Sequence, residues 1–296
     1  VKLAGIDIGS NAMRLLIGEV FEINNKIHIS KLSLVRLPVR LGGDVFESGK
    51  ISAEKEEDFI QGMEAFKIIM GIHKVTNYRA LATSAMRNAQ NGFEVCKKVF
   101  KKTGIDIETI DGDMEARFIR STFHLVSLEV DTPYLYIDVG GGSTEISLII
   151  NGKSKASHSF KIGTVRMLQD IVDESEWDEM LAWVKILKER FHPKMAIGSG
   201  GNINKILKIC KPNNEQFLEV DQMRLLSEEM EPYSLEERMH KWNLRSDRAD
   251  VIVHASKIYL NVLDHAMIKT IYIPKLGLAD GLLYNMYAEE KDKQEL

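Results

Sequence analysis

Two aspartates close apolar runs in the same manner. Asp7 does so in "GIDIGSNAMRLLIGEV" and Asp138 in "YIDVGGGSTEISLII". Each is followed two positions on by a glycine, Gly9 or Gly140, then by Ser10-Asn11-Ala12 or Gly141-Gly142-Ser143, then by a second apolar run. A tight turn without bulky side chains can aim successive backbone N–H groups at one anion. Glycine also removes the Cβ that would block a close approach. A carboxylate beside such a turn repels phosphate unless a cation such as Mg²⁺, which favours carboxylate and water oxygens, lies between them. Two such hairpins suit a ligand with several phosphoryl groups, each half of the chain holding some.

Other residues could join this chemistry. Arg14 and Glu145 stand seven positions after the two aspartates and carry opposite charge. The acidic hairpin suits a metal; the basic one suits phosphate or an internal ion pair. Arg87 follows the small-residue turn "ATSA", where a guanidinium can bind phosphate oxygens in a bidentate way. A cation early in a helix opposes the helix dipole, which points toward function. Glu115, in "DGDMEAR", sits at a turn-to-helix junction. There it can accept a proton from water, or simply complement the dipole. The lysines at 97, 98, 101 and 102 and at 205, 208 and 211 read as solvated helix faces, and the histidines show no metal-ligand spacing.

The elements that must position these groups alternate between strand and helix. Strands are expected over 3–8, 13–20 and 26–34, followed by a loop, "LPVRLGGDVFESGKIS", and a helix capped by Ser52. A strand breaking into a small-residue turn covers "YRALATSAMRNAQNG", and a strand over 105–110 precedes the helix that carries Glu115. The second hairpin restarts the series. It continues through strands at "KASHSFKIG", "MAIGSG" and "TIYIP", an amphipathic helix over 176–190, a helical region over 221–259 and a closing helix. Alternation implies an α/β class, and its restart implies two similar halves, 1–124 and 125–296.

Bulk properties exclude several classes. The chain has 296 residues, 44% hydrophobic and 28% charged, which suits two globular domains. No apolar run is long enough to span a membrane, and the first residues lack the marks of a secretory signal. A net charge of −4 argues against a nucleic-acid binder held by bulk charge. Cys96 and Cys210 lie in helical segments without metal spacing, as expected of reduced thiols in a cytoplasmic protein.

The motifs, taken in order, resemble those of the exopolyphosphatase/guanosine pentaphosphate phosphohydrolase (Ppx/GppA) family. They are "IDIGSNAMRLLI", "RLG" at 40–42, "ATSAMRNAQN", "IDGDMEARFI", "IDVGGGSTEIS", "IGTVRM", "IGSGGNINKI", "RADVIVHASKIYL" and "LGLADGLLY". They span nearly the whole chain, which looks like the short two-domain type. The resemblance implies two ribonuclease-H-like (actin-like ATPase) domains with an interdomain cleft. It implies Glu115 as the catalytic glutamate that activates water and Arg87 as a phosphate-contacting catalytic arginine. It assigns phosphate binding to Ser10, Asn11, Ser84, Gly140, Gly141, Gly142 and Ser143, and Mg²⁺ to Asp7, Asp138 and Glu145. The implied activity is release of terminal phosphate from inorganic polyphosphate, with guanosine pentaphosphate as the alternative substrate, in a cytoplasmic homodimer. A low-turnover binding protein and a kinase of the same superfamily are the competing classes. Met114, Asn202 and Ala279 stand where relatives often carry glutamate, threonine and arginine.

Overall fold

The computed structural model describes residues 1–24, 26–122, 129–211, 213 and 215–294. Its elements begin with β1 (Lys2–Ile8), β2 (Met13–Ile23), β3 (Lys26–Leu37), α1 (Leu41–Ser48), α2 (Ala53–His73), β4 (Asn77–Ala82), α3 (Ser84–Asn88), α4 (Gly92–Thr103), β5 (Glu108–Thr109) and α5 (Gly112–Arg120). The series restarts with β6 (Tyr134–Val139), β7 (Thr144–Ile150), β8 (Lys153–Phe160), α6 (Thr164–Leu168), α7 (Glu174–Phe191), β9 (Met195–Ser199) and α8 (Gly201–Cys210). It closes with β10 (Phe217–Glu219), α9 (Val220–Met230), α10 (Leu235–Lys241), α11 (Ser246–Ala249), α12 (Ile252–Ala266), β11 (Thr270–Tyr272) and α13 (Leu278–Gln294).

The chain divides into two compact units, Val1–Thr122 with Gly277–Leu296, and Phe123–Leu276. The first holds a five-stranded sheet ordered β3-β2-β1-β4-β5. Its first three strands form an antiparallel meander, and β4 and β5 add in parallel. The second sheet runs β8-β7-β6-β9-β11-β10 and repeats that pattern, with β10 as an extra antiparallel edge. Each is the ribonuclease-H-like order. Side chains alternate across these strands. Ala4, Ile6 and Ile8 of β1 and Met13, Leu15 and Ile17 of β2 face a core completed by Phe59, Met63 and Phe66 of α2 and Val95 and Val99 of α4. In the second unit Leu135, Ile137 and Val139 of β6 play that part against α7, α8, α9 and α12.

The halves differ from the expected 1–124 and 125–296 in one respect. The boundary at 124/125 lies outside the described residues, but the last segment, Gly277–Leu296, belongs to the first unit. The reason is steric. The second face of β1 and β2 carries Gly5 and Gly18, and α13 lies directly on them. A Cβ at Gly5 would meet the Ala279 carbonyl oxygen at 2.8 Å, and one at Gly18 would press on Leu283. Alternation of elements along the chain records their order, not which sheet each covers.

Other departures are local. The expected loop after β3 contains helix α1, with Leu41, Gly42 and Val45 buried. Gly42, inside that stretch, is needed for contact: a Cβ there would stand 2.9 Å from that of Ser10. The expected strand over 105–110 is only Glu108–Thr109, the helical region over 221–259 is divided among α9 to α12, and β10 had no period-2 signal. Ser52 does cap α2, its side chain accepting from the Lys55 N–H. Gly5→Ala is expected to destabilise the protein by about 1–3 kcal/mol through overpacking. Urea unfolding measures it, and an unchanged midpoint would contradict the close seating of α13.

Candidate functional site

The two aspartate hairpins are structural equivalents. Each aspartate is the penultimate residue of its strand, and each strand passes through a four-residue turn, 9–12 or 140–143, into its neighbour. The Gly9 N–H donates to the Ala12 carbonyl (3.2 Å) and the Gly140 N–H to the Ser143 carbonyl (2.9 Å). The register places Asp7 opposite Arg14 and Asp138 opposite Glu145.

Each turn is gripped by the segment that follows the third strand of its sheet. In the first unit the Gly42 N–H donates to the Ser10 carbonyl (2.8 Å) and the Arg40 N–H to the Asn11 carbonyl (3.2 Å). In the second, Thr164 and Val165 N–H groups donate to the Gly140 and Gly141 carbonyls (3.0 and 2.8 Å). Arg166 Nε donates to the Gly142 carbonyl (2.8 Å). In a trans peptide the C=O and the next N–H point in opposite directions. Holding those carbonyls therefore turns the N–H groups of Asn11 and Ala12, and of Gly141, Gly142 and Ser143, away from the grip. Successive N–H groups turned to one side in this way can receive an anion. Gly163 allows the second grip, since a Cβ there would lie 2.5 Å from the Gly142 carbonyl carbon. The motifs "RLG" and "IGTVRM" thus have one job in the two halves.

Around the first turn, Asp7 is buried and paired with Arg14, Nη1 to Oδ2 at 3.0 Å. The ion-pair reading of Arg14 is therefore the one the structure shows. The Thr83 N–H donates to the Ile8 carbonyl, which sets buried Ser84, the first residue of α3, beside the end of β1. Arg87 Nη1 donates to the Ile110 carbonyl. Immediately after Ile110, Asp111 caps α5: its side chain accepts from the Met114 N–H (2.8 Å) and its carbonyl from the Glu115 N–H (3.0 Å). Arg87 and half-buried Glu115 are thus anchored to two adjacent residues. A guanidinium has five N–H donors, so one bond to Ile110 leaves others for an oxyanion.

Around the second turn, Asp138 and Glu145 are both buried and lie directly opposite on neighbouring strands, hence on one face. Ser159 Oγ donates to Glu145 Oε1 at 2.8 Å, and Tyr136 Oη to Asp138 Oδ2 at 3.3 Å. Gly200, with φ of 106°, lies so close that a Cβ there would be 3.0 Å from Asp138 Oδ1. Among the described residues no three His, Cys, Asp or Glu side chains gather into a metal cage. Two adjacent carboxylates fit Mg²⁺ nonetheless, because it is commonly bound through one or two carboxylates, the rest of its shell being water and substrate phosphate. Asp7 differs, since a guanidinium already faces its carboxylate.

Within the first unit, Asp7, Ser10, Asn11, Ser84, Arg87 and Glu115 are carried on the ends of β1, β4 and β5 and the segments leaving them. Within the second, Asp138, Gly140, Gly141, Gly142, Ser143 and Glu145 are carried by the β6–β7 hairpin. Ligands of open α/β sheets gather at such carboxyl ends. The sequence reading missed Tyr136, Gly163, Arg166 and Gly200 as supports. All four lie in stretches it quoted, but Tyr136, at the head of "YIDVGGGSTEISLII", reads as one more apolar strand residue. Of the noted departures, Asn202 accepts from Arg248 Nη1 (3.0 Å), Met114 is exposed, and Ala279 is buried against β1.

Burial lifts the Asp7 carboxyl above its ordinary pKa of 3.8, and Arg14 pulls it partly back. Because the folded value exceeds the unfolded one, this group's stabilising contribution is complete below the unfolded pKa. It is lost as pH rises through the folded pKa. Arg14→Met removes the opposing charge and raises the folded value further. The variant is expected to be about 1–3 kcal/mol less stable than wild type near neutral pH, with the gap narrowing toward about pH 4. Urea titrations at several pH values check this; a pH-independent gap would count against it.

Comparison with known proteins agrees with this geometry. The family model for the Ppx/GppA phosphatase family matches residues 20–290. Exopolyphosphatase 1 of Mycobacterium tuberculosis is 23% identical over an alignment of 319 residues that covers 99% of this chain and 90% of that protein. A bifunctional 3-dehydroquinate synthase/phosphatase from Fusobacterium nucleatum is 35% identical over 171 residues, 56% of this chain and 26% of that protein. The crystal structure of an exopolyphosphatase from Cytophaga hutchinsonii matches with a TM-score of 0.86 at 24% identity, covering 98% of both chains. The chain belongs to the Ppx/GppA phosphatase family.

Proposed function

We propose that this chain is a Mg²⁺-dependent hydrolase that releases the terminal phosphate of inorganic polyphosphate. The observation that carries the reading is the pair of turns whose carbonyls are held from one side, which turns the next amides to the other, one turn in each unit. A substrate made of repeated phosphoryl groups gives both turns a ligand of the same kind, and we take both to serve one polyanion. Glu115 accepts a proton from water as its oxygen bonds to the terminal phosphorus. The bridging P–O bond then breaks, releasing orthophosphate and a chain shorter by one phosphoryl group. Arg87 and the turn amides stabilise the negative charge on the transferring group. Mg²⁺ held by Asp138 and Glu145, with Asp7 as their counterpart in the first half, would neutralise phosphate oxygens and keep the carboxylates from repelling substrate. Ser84 would hold a further phosphate oxygen.

Guanosine pentaphosphate as substrate would use every one of these groups, and so would a binding protein with little turnover. The presence of Glu115, held at the first turn of α5, favours hydrolysis over mere binding. No helix among the described residues is long and apolar enough to cross a membrane. The two free cysteines suit a reducing, cytoplasmic setting, and we take the working form to be a homodimer, which light scattering would test.

Phosphate release from polyphosphate and from guanosine pentaphosphate, with and without Mg²⁺, tests the substrate. Glu115→Gln is expected to lower kcat by about 10²–10⁴ while leaving KM nearly unchanged. Full activity in that variant would remove Glu115 from the mechanism. Inactivity of the wild-type protein on both substrates would remove the function.

A further inference from the structure

The two hairpins treat their aspartates differently. Asp7 faces a guanidinium across the ladder, which neutralises it. Asp138 faces a second carboxylate, Glu145. Two residues before Asp138, and hence on the same face of β6, stands Tyr136. The equivalent position before Asp7 is Gly5, which is covered by α13 and can offer no hydroxyl. The Tyr136 side chain is 1% exposed, and its Oη donates to Asp138 Oδ2 at 3.3 Å. Ser199, the residue paired with Asp138 on β9, lies beside the phenol and donates its own hydroxyl to the Leu276 carbonyl at 3.3 Å. On the other side of the carboxylate, the backbone of Gly200 stands against Oδ1.

We infer that Tyr136 is a positioning residue for the cation site: its buried hydroxyl fixes the Asp138 carboxylate beside Glu145 without bringing a positive charge of its own. A phenol does this where an arginine would not. Its O–H supplies direction, but no positive charge to compete with a divalent cation. At 3.3 Å the bond is longer than the usual O–H···O contact of about 2.7–2.8 Å. It gives the acceptor a direction without adding charge to it. Partners that hold a ligating carboxylate typically contribute about 10–100-fold to metal affinity.

The fold supplies its own control. Tyr259, on α12, is equally buried, and its hydroxyl reaches the carbonyls of Ile137 (3.1 Å) and Ser199 (2.6 Å) from the core face of the same strands. Both tyrosines can lose a hydroxyl to phenylalanine with no change in ring volume. Only one of them touches the carboxylate.

The inference rests on Asp138 and Glu145 holding the cation in the proposed function. The experiment is titration of the full-length, substrate-free protein with Mn²⁺, read by electron paramagnetic resonance. Asp138→Asn identifies the signal that belongs to this site. Tyr136→Phe is expected to weaken Mn²⁺ binding about tenfold or more, and to raise the Mg²⁺ concentration for half-maximal phosphate release in parallel. Tyr259→Phe is expected to lower the unfolding midpoint and leave Mn²⁺ affinity at the wild-type value. Ser199→Ala, which frees the phenol without removing it, is expected to shift affinity in the same direction as Tyr136→Phe and carries the test if that variant misfolds. Wild-type affinity in Tyr136→Phe, equal losses in the two tyrosine variants, or no Mn²⁺ signal sensitive to Asp138→Asn would each overturn the inference. Failure of the proposed substrates is a separate result, because metal binding is measured without them.

Discussion

A carbonyl held on one side of a peptide fixes the joined N–H on the other. That constraint governs both hairpins. Peptide planarity places the carbonyl and the next N–H on opposite sides, so a turn with unheld carbonyls can rotate and present either. Here the residues after the third strand of each sheet take those carbonyls, 40–42 in the first unit and 164–166 in the second. The grip accounts for sequence features that lie far from the turns. Gly42 must be small to reach Ser10, and Gly163 to reach the 141–142 peptide. In the second unit a side chain, Arg166, adds to the backbone donors and holds a third carbonyl.

The second determinant is charge at the strand ends. A buried carboxylate is costly unless it is paired or neutralised. The first hairpin meets that cost with Arg14, and the Asp7 pKa reflects the contest between burial and the guanidinium. The second hairpin concentrates the problem by setting Glu145 beside Asp138. The hydroxyls of Ser159 and Tyr136 orient these groups without adding charge. One strand end thus pairs its aspartate with a guanidinium, and the other sets it opposite a second carboxylate. Inherited geometry is shared between the halves, while electrostatics divides their roles.

Much of this was legible in the residues. The paired "IDIG" and "IDVG" runs gave the repeated hairpin, and the offset from each aspartate to Arg14 or Glu145 proved to be the ladder pairing itself. Such local relations survive because a hairpin of fixed turn length sets its own register. Longer-range relations were less visible. Nothing in periodicity told that Gly42-Gly43 would enter a helix, because that choice is made by contact with Ser10. Tyr136 looked like a strand residue of average kind, since its meaning depends on Ser199 and on the rotamer of Asp138. Arg87 and Glu115 were visible as candidates, but their common anchorage at Ile110 and Asp111 appears only once β4 and the segment before α5 are side by side.

The return of α13 to the first unit follows from the same economy of faces. A ribonuclease-H-like sheet has two apolar faces, and α2 and α4 cover only one of the first sheet's two. On the other, β1 and β2 expose glycines at positions 5 and 18, and these are sites of contact rather than of flexibility. Leu282 and Leu283 fill that surface, and Lys31 of β3 pairs with Asp280 at 2.7 Å near the helix's start. The face that receives α13 is also the face on which Asp7 and Arg14 point, since both share the parity of Gly5 and Gly18 along their strands. The strand ends that carry the first hairpin are therefore backed by a helix drawn from the far end of the sequence. The first unit cannot complete its site-bearing sheet until the chain has passed through the second.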